Sequence, residues 1–342
     1  MTRPADDGFH LVPDWAPHAR CWMAWPVRAE GWGERLGEAR EAYAEVAAAI
    51  AQFEPVTIVA KPTKVAEVSL KTAPGVASFS LPHDDSWLRD NGPSFLAGRS
   101  GEIAGVQWRW NAWGNQYADH ESDAQVPEKL LAHLKMRRYV GPLVVEGGAI
   151  GTDGEGTLLA SETVLLDPKR NPGLDKRAAE DLLKGFLGVE KIIWLGTGVA
   201  GDTGGGEIDN LACFVRPGTV LALSTADAAD SNRAALEDAL ARLKLATDAK
   251  GRNLEIVTVD QPRARHAEDG RRLPLSYVSF YLANGGVVVP AFEDPADKRA
   301  FETISKLFPG REAMQVVATE LAYGGAGLHA IALGQPAGQP AS

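Results

Sequence analysis

The loop Gly201-Asp202-Thr203-Gly204-Gly205-Gly206-Glu207-Ile208-Asp209-Asn210 lies between two apolar segments, 192–195 and 211–215. Short apolar runs bounded by turn signals are typical of buried strands, so the loop joins two predicted strands. Its glycines permit tight turns and close approach by another group, and carboxylates beside apolar walls have shifted pKa values. The composition fits either a solvent-facing hairpin or a cluster of acidic groups, and the rest of the chain decides between them.

A helix followed by a strand occurs five times along the chain, and this loop follows one of those passages. In the first passage, apolar residues between Leu36 and Phe53 recur at spacings of three and four, which indicates one face of a helix. Pro55 ends that helix before the predicted strand 56–59. The other passages are helices 126–134, 177–187, 233–243 and 298–308, followed by strands 143–145, 192–195, 254–259 and 315–317.

Further β-like segments make the strands more numerous than the helices. They lie at 104–110, 157–160, 163–166, 220–223 and 286–289. A strictly alternating chain predicts one parallel sheet, whereas several strands with each helix favour a module repeated around a centre. We therefore predict a mixed α/β fold of five modules.

Loops rich in glycine and in acidic or histidine residues follow four of the five passages, at 84–93, 146–148, 201–210 and 324–330. In a closed repeat such loops meet at one end of the axis, so we expect one central site. In the first loop three aspartates offer acceptors, and Trp87 offers a ring face for a delocalised cation. The aspartates are Asp84, Asp85 and Asp90; the alternative is a surface turn in which Arg89 pairs with them. Glu146 directly follows an apolar strand, so it needs a cationic ligand, a buried arginine or backbone donors.

Length and composition place the chain among globular proteins. It has 342 residues, 45% hydrophobic, with a formal net charge of −10, and we interpret 1–342 as one domain, ordered from about 11 to 336, with short flexible termini. The acidic balance argues against nucleic acid and is compatible with a cationic small molecule. Cys21 and Cys213 lack metal-ligand or disulfide spacing, and neither a signal peptide nor a membrane span is apparent. We predict a cytoplasmic protein with a small-molecule substrate, no metal or other cofactor and no nucleic-acid or membrane partner, and we leave homo-oligomer formation open.

A series of motifs occurs in a fixed order from about residue 11 to 336. They are Trp25-Pro26, Asp85–Pro93, Val145–Gly148, Asp153–Leu159, Arg170–Pro172, Asp209-Asn210, Phe214–Gly218, Leu273–Tyr277, Ala283–Gly286 and Phe308–Arg311. Together they resemble the agmatine deiminase family of the guanidine-modifying, or pentein, superfamily. The resemblance implies a five-bladed α/β propeller with pseudo-five-fold symmetry, and hydrolysis of agmatine to N-carbamoylputrescine and ammonia. It also implies that three carboxylates hold the guanidinium group and that Trp87 contacts the substrate; the carboxylates are Asp90, Glu146 and Asp209.

The departures from that family fall on its covalent chemistry. In the family a Cys directly after a His attacks the guanidinium carbon, and another His transfers protons. Here Ala330 follows His329, and Glu207 occupies the place of the proton-transferring His. Cys21 and Cys213 belong to other motifs. Because a methyl group forms no covalent intermediate, we predict that native turnover is lost.

Small residues near the same place predict an enlarged pocket. The predicted wall positions are Ala149, Gly151, Gly204, Gly205, Gly327 and His329. In such a pocket, burial and the neighbouring carboxylates would raise the pKa of Glu207, which suits a general base. The candidate catalytic positions are Asp90, Glu207, Asp209 and Ala330, the last marking the place of the family nucleophile.

Three functions stay open from the sequence. The first is an agmatine deiminase scaffold without native turnover, the second a remodelled or diverged catalyst that uses Glu207 as a base, and the third a non-catalytic binder of a guanidinium or other cation. Natural divergence, a substrate-trapping substitution and deliberate remodelling each account for the departures. Their concentration in the chemical loops favours deliberate change.

Overall fold

Five small β-sheets form the framework of the structure. The computed structural model describes residues 2–341. In each sheet a first strand runs antiparallel to a second strand, a helix follows the second strand, and a third strand returns parallel to the second. The five predicted helix–strand passages are therefore confirmed, and each belongs to one module of the same topology.

The modules are numbered here by the order of their helices. Module one has strands Leu333–Pro336, His18–Ala24, Val56–Ala60 and Val76–Ser80 with helix Leu36–Ile50. Module two has strands Ser94–Ala97, Glu102–Arg109 and Arg137–Val144 with helix Val126–His133, and two short edge strands, His10–Leu11 and Gln339–Pro340. Module three has strands Ile150–Thr152, Thr157–Ser161 and Lys191–Leu195 with helix Lys176–Leu187.

The last two modules have no added strands. Module four has strands Ala212–Arg216, Thr219–Ser224 and Glu255–Asp260 with helix Arg233–Leu245. Module five has strands Tyr281–Ala283, Gly286–Ala291 and Glu312–Val317 with helix Asp297–Leu307. Shorter helical segments are Pro4–Asp7, Ala29–Trp32, Gly33–Arg35, Pro62–Lys64, Val65–Lys71, Glu121–Ala124, Glu162–Leu165 and Thr319–Tyr323. Within residues 2–341, none of the helices has both the length and the apolar character needed to cross a membrane.

Local sequence explains where these elements begin and end. The second strands of modules three to five are buried on both faces, as in Thr157–Ser161, so they read as continuous rather than alternating apolar runs. Helix Lys176–Leu187 begins where Asp175 accepts a hydrogen bond from the backbone N–H of Ala178 at 2.8 Å. It ends at Gly188, whose φ of 61° is left-handed.

Two predictions made from the sequence are wrong. Residues 163–166 were expected to form a strand, but Glu162–Leu165 is a helical turn because the Ser161 hydroxyl accepts a hydrogen bond from the backbone N–H of Val164 at 3.2 Å. The C-terminus beyond residue 336 was expected to be flexible, but Gln339–Pro340 pairs in parallel with the start of strand Glu102–Arg109 in module two.

A short turn precedes the first strand of every module, and these five segments are called the central turns. They are Leu88–Asn91, Gly147–Ala149, Ile208–Asn210, the turn at 277–278 and Leu328–Ile331. The turns of modules one to four contact one another in succession, and Ser279 accepts a hydrogen bond from the backbone N–H of His329 at 3.1 Å. The convergence of loops expected from a closed repeat is therefore confirmed.

A buried polar junction joins modules one and five. The Glu54 carboxylate accepts hydrogen bonds from the Tyr281 hydroxyl at 2.7 Å and the Asn284 backbone N–H at 2.8 Å. His18 Nδ1 lies 3.1 Å from the same carboxylate. A carboxylate this buried, at 4% exposure, depends on all of these donors.

Glu54→Gln should therefore lower the free energy of unfolding by about 1–3 kcal/mol, because one of the donors loses its charged acceptor. Glu38→Gln makes the same change at an exposed position of the module one helix and should have an effect below about 0.5 kcal/mol. Urea denaturation of both variants measures the difference. Equal stabilities would show that the junction does not hold the modules together.

Candidate active site

Four carboxyl groups on three central turns surround Gly148, and they are called the carboxylate cluster: Asp90, Glu146, Glu207 and Asp209. A Cβ placed on Gly148 would lie 3.0 Å from Asp90 Oδ1, 3.0 Å from the Glu207 carboxyl carbon and 3.1 Å from Asp209 Oδ2. The Gly148 backbone N–H donates to Asp90 Oδ1 at 2.9 Å. A side chain at this position would force the three carboxyl groups to move by a few tenths of an ångström, so glycine permits their close approach to the backbone.

The cluster contains four buried carboxyl oxygens that no donor in residues 2–341 reaches. They are Glu146 Oε2, both carboxyl oxygens of Glu207 and Asp209 Oδ1. The exposed fractions of Glu146 and Glu207 are 0% and 1%, so these groups have no contact with bulk solvent. Buried acceptors without partners are energetically costly, which points to a ligand rich in N–H donors.

Burial and mutual repulsion keep protons on this cluster. Burial, followed by the charge of Asp209, raises the pKa of Asp90 to about 8. Burial raises the pKa of Glu207 well above its ordinary value, and the charges of Asp90, Asp202 and Asp209 raise it further. The direction of shift expected for Glu207 is therefore confirmed.

Arg170 is the buried cation beside the cluster. Its Nε donates to Glu146 Oε1 at 2.7 Å, and its guanidinium also donates to Asp167 Oδ2 at 2.8 Å and to the Gly204 carbonyl at 2.6 Å. Burial raises the pKa of Glu146, although the charge of Arg170 opposes the shift. Of the partners considered for Glu146, the structure selects a buried arginine for one oxygen and leaves the other unpaired.

The glycine-rich loop is folded around Asp202. Its carboxylate accepts hydrogen bonds from the backbone N–H groups of Gly204, Gly206 and Glu207 at 2.9, 2.9 and 2.7 Å. Gly206 has a φ of 113°, and a side chain there would overlap Thr163. Asp202 thus holds the loop in the conformation that places Glu207 in the cluster. This structural role of Asp202 was not predicted from the sequence.

His329 connects the cluster to the N-terminal segment. Its Nδ1 lies 3.1 Å from Asp209 Oδ2 and its Nε2 lies 3.0 Å from Asp14 Oδ2, while Arg89 donates to Asp14 Oδ1 at 3.0 Å. Burial and the charge of Arg89 lower the pKa of His329, but Asp14 and Asp209 outweigh them and raise it overall. His329 thus contacts one Asp209 oxygen, Oδ2, while Oδ1 has no hydrogen-bond partner within residues 2–341.

The three aspartates of the loop 84–93 were expected to act together, but they have different partners in the structure. Only Asp90 joins the cluster; Asp85 accepts from Arg28 Nε at 2.8 Å, and Asp84 accepts from the Ser122 backbone N–H at 2.9 Å. The alternative pairing of Arg89 with its neighbouring aspartates is also wrong, because Arg89 pairs with Asp14. Sequence proximity could not reveal these partners, which lie far along the chain.

The sequence did not show which tryptophan contacts the carboxylate cluster. Trp87, expected to stack on substrate, is 5% exposed and stacks on Trp32 with ring centroids 5.5 Å apart. Trp113, which was not among the predicted site residues, donates from Nε1 to Asp90 Oδ2 at 3.2 Å. The signal that could have found it is the sequence Asn111-Ala112-Trp113-Gly114-Asn115, since Asn and Gly favour left-handed turns.

No activated thiol stands in for the residue at position 330. Ala330 is fully buried, and its turn contacts the turns that carry Asp90 and Gly148. Burial raises the pKa of the Cys21 thiol to about 12 and also raises that of Cys213. Neither group forms the thiolate that acts as a nucleophile near neutral pH.

The predicted enlargement of the pocket is wrong at two of the wall positions. A Cβ on Gly204 would overlap the Glu207 carboxyl, and one on Gly327 would overlap the Ser279 hydroxyl. These glycines permit close packing and leave no open space. Gly205 faces Arg170, with a Cβ-to-Nη1 distance of 3.5 Å, and Ala149 is fully buried.

Gly151 and His329 do border open space, behind Asp209. A cavity of about 30 Å³ is lined by both residues and by Asp209 and Cys213, which is room for about two water molecules. A second cavity of about 60 Å³ adjoins Gly151 and Arg89. Asp90, Glu146 and Glu207 line neither of these two cavities and are buried.

The raised pKa of Glu207 predicts a specific effect of pH on stability. Between the ordinary pKa and the raised one, the folded state keeps a proton that the unfolded state loses, so stability falls as pH rises. Glu207→Gln removes this loss, and its free energy of unfolding relative to the parent should increase from pH 5 to pH 8. Denaturant titration at both pH values measures it, with the exposed Glu45→Gln as control. A constant or falling difference would contradict the buried, unpaired state of Glu207.

Comparison with known proteins agrees with this architecture. A family model of the Porphyromonas-type peptidyl-arginine deiminases matches residues 10–336. The agmatine deiminase of Stutzerimonas stutzeri (strain A1501) is 39% identical over 359 residues, covering 98% of this chain and 98% of that protein. The solved agmatine deiminase of Enterococcus faecalis has a TM-score of 0.94 at 33% identity, covering 98% of both chains. A substrate-bound cysteine-to-serine variant of the C. jejuni agmatine deiminase has a TM-score of 0.88 at 26% identity, covering 97% of both chains. The chain therefore belongs to the agmatine deiminase group of the pentein superfamily, and its five modules are the blades of the pentein α/β propeller.

Proposed function

We propose that this chain binds a guanidinium-bearing small molecule of the agmatine type at the carboxylate cluster and does not hydrolyse it through a cysteine. The observation that carries the proposal is the set of four buried, unpaired carboxyl oxygens on Glu146, Glu207 and Asp209. A guanidinium group is planar and offers N–H donors in several directions of one plane. It therefore suits unpaired acceptors that approach from two separate turns, the one after Glu146 and the one after Glu207.

Charge complementarity supports the same ligand. The cluster has four acidic groups and one buried guanidinium, Arg170, which is already shared with Asp167 and the Gly204 carbonyl. A second cation would lower the pKa of the neighbouring carboxyl groups and form charge-assisted hydrogen bonds with them. An alkylammonium group carries the same charge but has only three donors at one point, so we expect the guanidinium end of agmatine to be the end recognised.

The absence of cysteine chemistry rests on position 330. The family resemblance assigns the nucleophile to this position, and Ala330 has no group that attacks carbon. Since the thiols of Cys21 and Cys213 have raised pKa values, neither replaces it. In the C. jejuni agmatine deiminase, a cysteine-to-serine variant is the form with substrate bound, which supports binding without turnover as a workable state of this scaffold.

A second candidate function is catalysis with Glu207 as general base. It is favoured by the two unpaired oxygens of Glu207 and by its raised pKa, since a base is most effective when its pKa lies near the working pH. Slow ammonia release from agmatine that disappears in Glu207→Gln would support this function over binding alone. Ammonia release that persists in the variant would exclude Glu207 as the base.

Agmatine should bind saturably in isothermal titration calorimetry, whereas putrescine, which has amine ends and no guanidine, should bind at least about 10-fold more weakly. Asp209→Asn should weaken agmatine binding by about 10-fold or more, because Oδ1 becomes less negative or is replaced by a donor. Asp6→Asn is the matched control at an exposed position. Equal affinity for both ligands, or no effect of Asp209→Asn, would contradict recognition of the guanidinium by the cluster.

Restoring the missing groups should restore hydrolysis. The double variant Ala330→Cys with Glu207→His is expected to release ammonia from agmatine, and Ala330→Cys alone should be about 100-fold slower because it lacks the proton-transferring imidazole. Ala330→Ser with Glu207→His is the control, since a hydroxyl does not form the thiolate. If the double variant binds agmatine but releases no ammonia, the assignment of positions 207 and 330 is wrong.

A further inference from the structure

We propose that Trp113 is a positioning residue for Asp90. A left-handed turn holds the Trp113 indole on the Asp90 carboxylate, and the same turn is hydrogen-bonded to the loops beside the cluster. This inference rests on the proposed function, because it assigns Asp90 as one of the guanidinium acceptors. It extends that function to a residue outside the carboxylate cluster. The strap is defined as residues 111–117.

The hydrogen bond between Trp113 and Asp90 helps to fix the orientation of the Asp90 carboxylate. Asp90 Oδ1 accepts from the Gly148 backbone N–H at 2.9 Å, and Oδ2 accepts from Trp113 Nε1 at 3.2 Å. The two donors approach different oxygens and so fix the rotation of the carboxylate. Trp113 is 7% exposed, and its hydrogen bond is therefore made in a site with little competing water.

The backbone of the strap is unusual. Residues 112, 113, 114 and 115 all have positive φ, at 49°, 53°, 81° and 67°, and of these only Gly114 and Asn115 are residue types that commonly adopt it. A run of left-handed residues persists only where the surroundings impose it, and such runs are concentrated at functional sites. The indole of Trp113 reaches Asp90 from this turn.

Three hydrogen bonds from the Asn111 and Gln116 side chains hold the strap in that conformation. Asn111 Oδ1 accepts from the Gly114 backbone N–H at 3.1 Å, and Asn111 Nδ2 donates to the Lys169 carbonyl at 2.9 Å. At the other end Gln116 Nε2 donates to the Thr203 carbonyl at 2.7 Å. The strap thus joins the loop before Arg170, the glycine-rich loop and Asp90, which are three sides of the cluster.

The donated hydrogen bond has a predictable effect on the charge of Asp90. An N–H donor favours the ionised carboxylate, and Trp113 accordingly opposes the rise of the Asp90 pKa that burial and Asp209 cause. Only the ionised form offers both oxygens as acceptors to a cation. Trp113 therefore widens the pH range in which Asp90 is ready to hold a guanidinium.

The chain supplies a matched control. Trp110 packs edge-on against Trp113 with ring centroids 4.8 Å apart, but its Nε1 has no hydrogen-bond partner within residues 2–341. Trp113→Phe and Trp110→Phe each remove one indole N–H and shrink one ring of the same pair. Only the first removes a donor from Asp90.

The test is a carbon-13 NMR titration of the Asp90 carboxyl carbon in the parent chain and in both variants, followed by agmatine calorimetry from pH 6 to pH 9. Trp113→Phe should move the Asp90 midpoint to higher pH and weaken agmatine binding by about 10-fold at pH 7, with the loss decreasing as pH rises. Trp110→Phe should leave the midpoint and the affinity within about 2-fold of the parent.

An unchanged Asp90 midpoint in Trp113→Phe would overturn the proposal, and so would an equal shift in both variants, which would indicate a general packing effect. The NMR arm needs no ligand. A shifted midpoint in a chain that does not bind agmatine would support the positioning role of Trp113 and contradict the proposed function. Agmatine binding by the parent that Trp113→Phe leaves intact would contradict the role of Trp113 alone.

Discussion

Electrostatic repulsion among four buried carboxyl groups is the constraint around which the centre of this protein is organised. Removing carboxylates from water is costly, and placing them together adds like-charge repulsion. The structure offsets part of this cost with Arg170, with the backbone N–H of Gly148 and with Trp113. The remainder is carried by raised pKa values and by oxygens without donors. The proposed cationic ligand would offset this remaining cost.

The five-module fold makes such a concentration of charge possible. Each module sends one short turn to the centre, and each turn is anchored by the strand that follows it. Residues that are far apart in sequence, such as Asp90 and Asp209, therefore meet at the centre, and each is held there by the turn of its own module. The backbone remains close-packed because glycine occupies the points where carboxyl groups cross it, at Gly148 and Gly204.

Much of the fold could be predicted because it follows from local sequence patterns. Helical periodicity and apolar runs located all five helix–strand passages, and the glycine-rich acidic loops located the centre. Local sequence patterns gave wrong predictions where a side chain pairs with a residue far away in the sequence or with an unexpected backbone group. Ser161 capped a helical turn in a segment with strand-like composition, and Arg89 paired with Asp14 rather than with its neighbours. Small residues were interpreted as open space, but at Gly204 and Gly327 the space is filled by Glu207 and Ser279. The role of Trp113 depends on a left-handed turn that hydrophobic patterning does not encode.

The central claim is that a cation completes the carboxylate cluster, and proton counting tests it most directly. At pH 7 the free cluster holds protons on groups such as Asp90, whose pKa is about 8, and a bound guanidinium lowers those pKa values. Calorimetry of agmatine binding in buffers with different ionisation enthalpies gives the number of protons exchanged. The account predicts release of protons into the buffer on binding. Binding with no proton release, or with proton uptake, would contradict it.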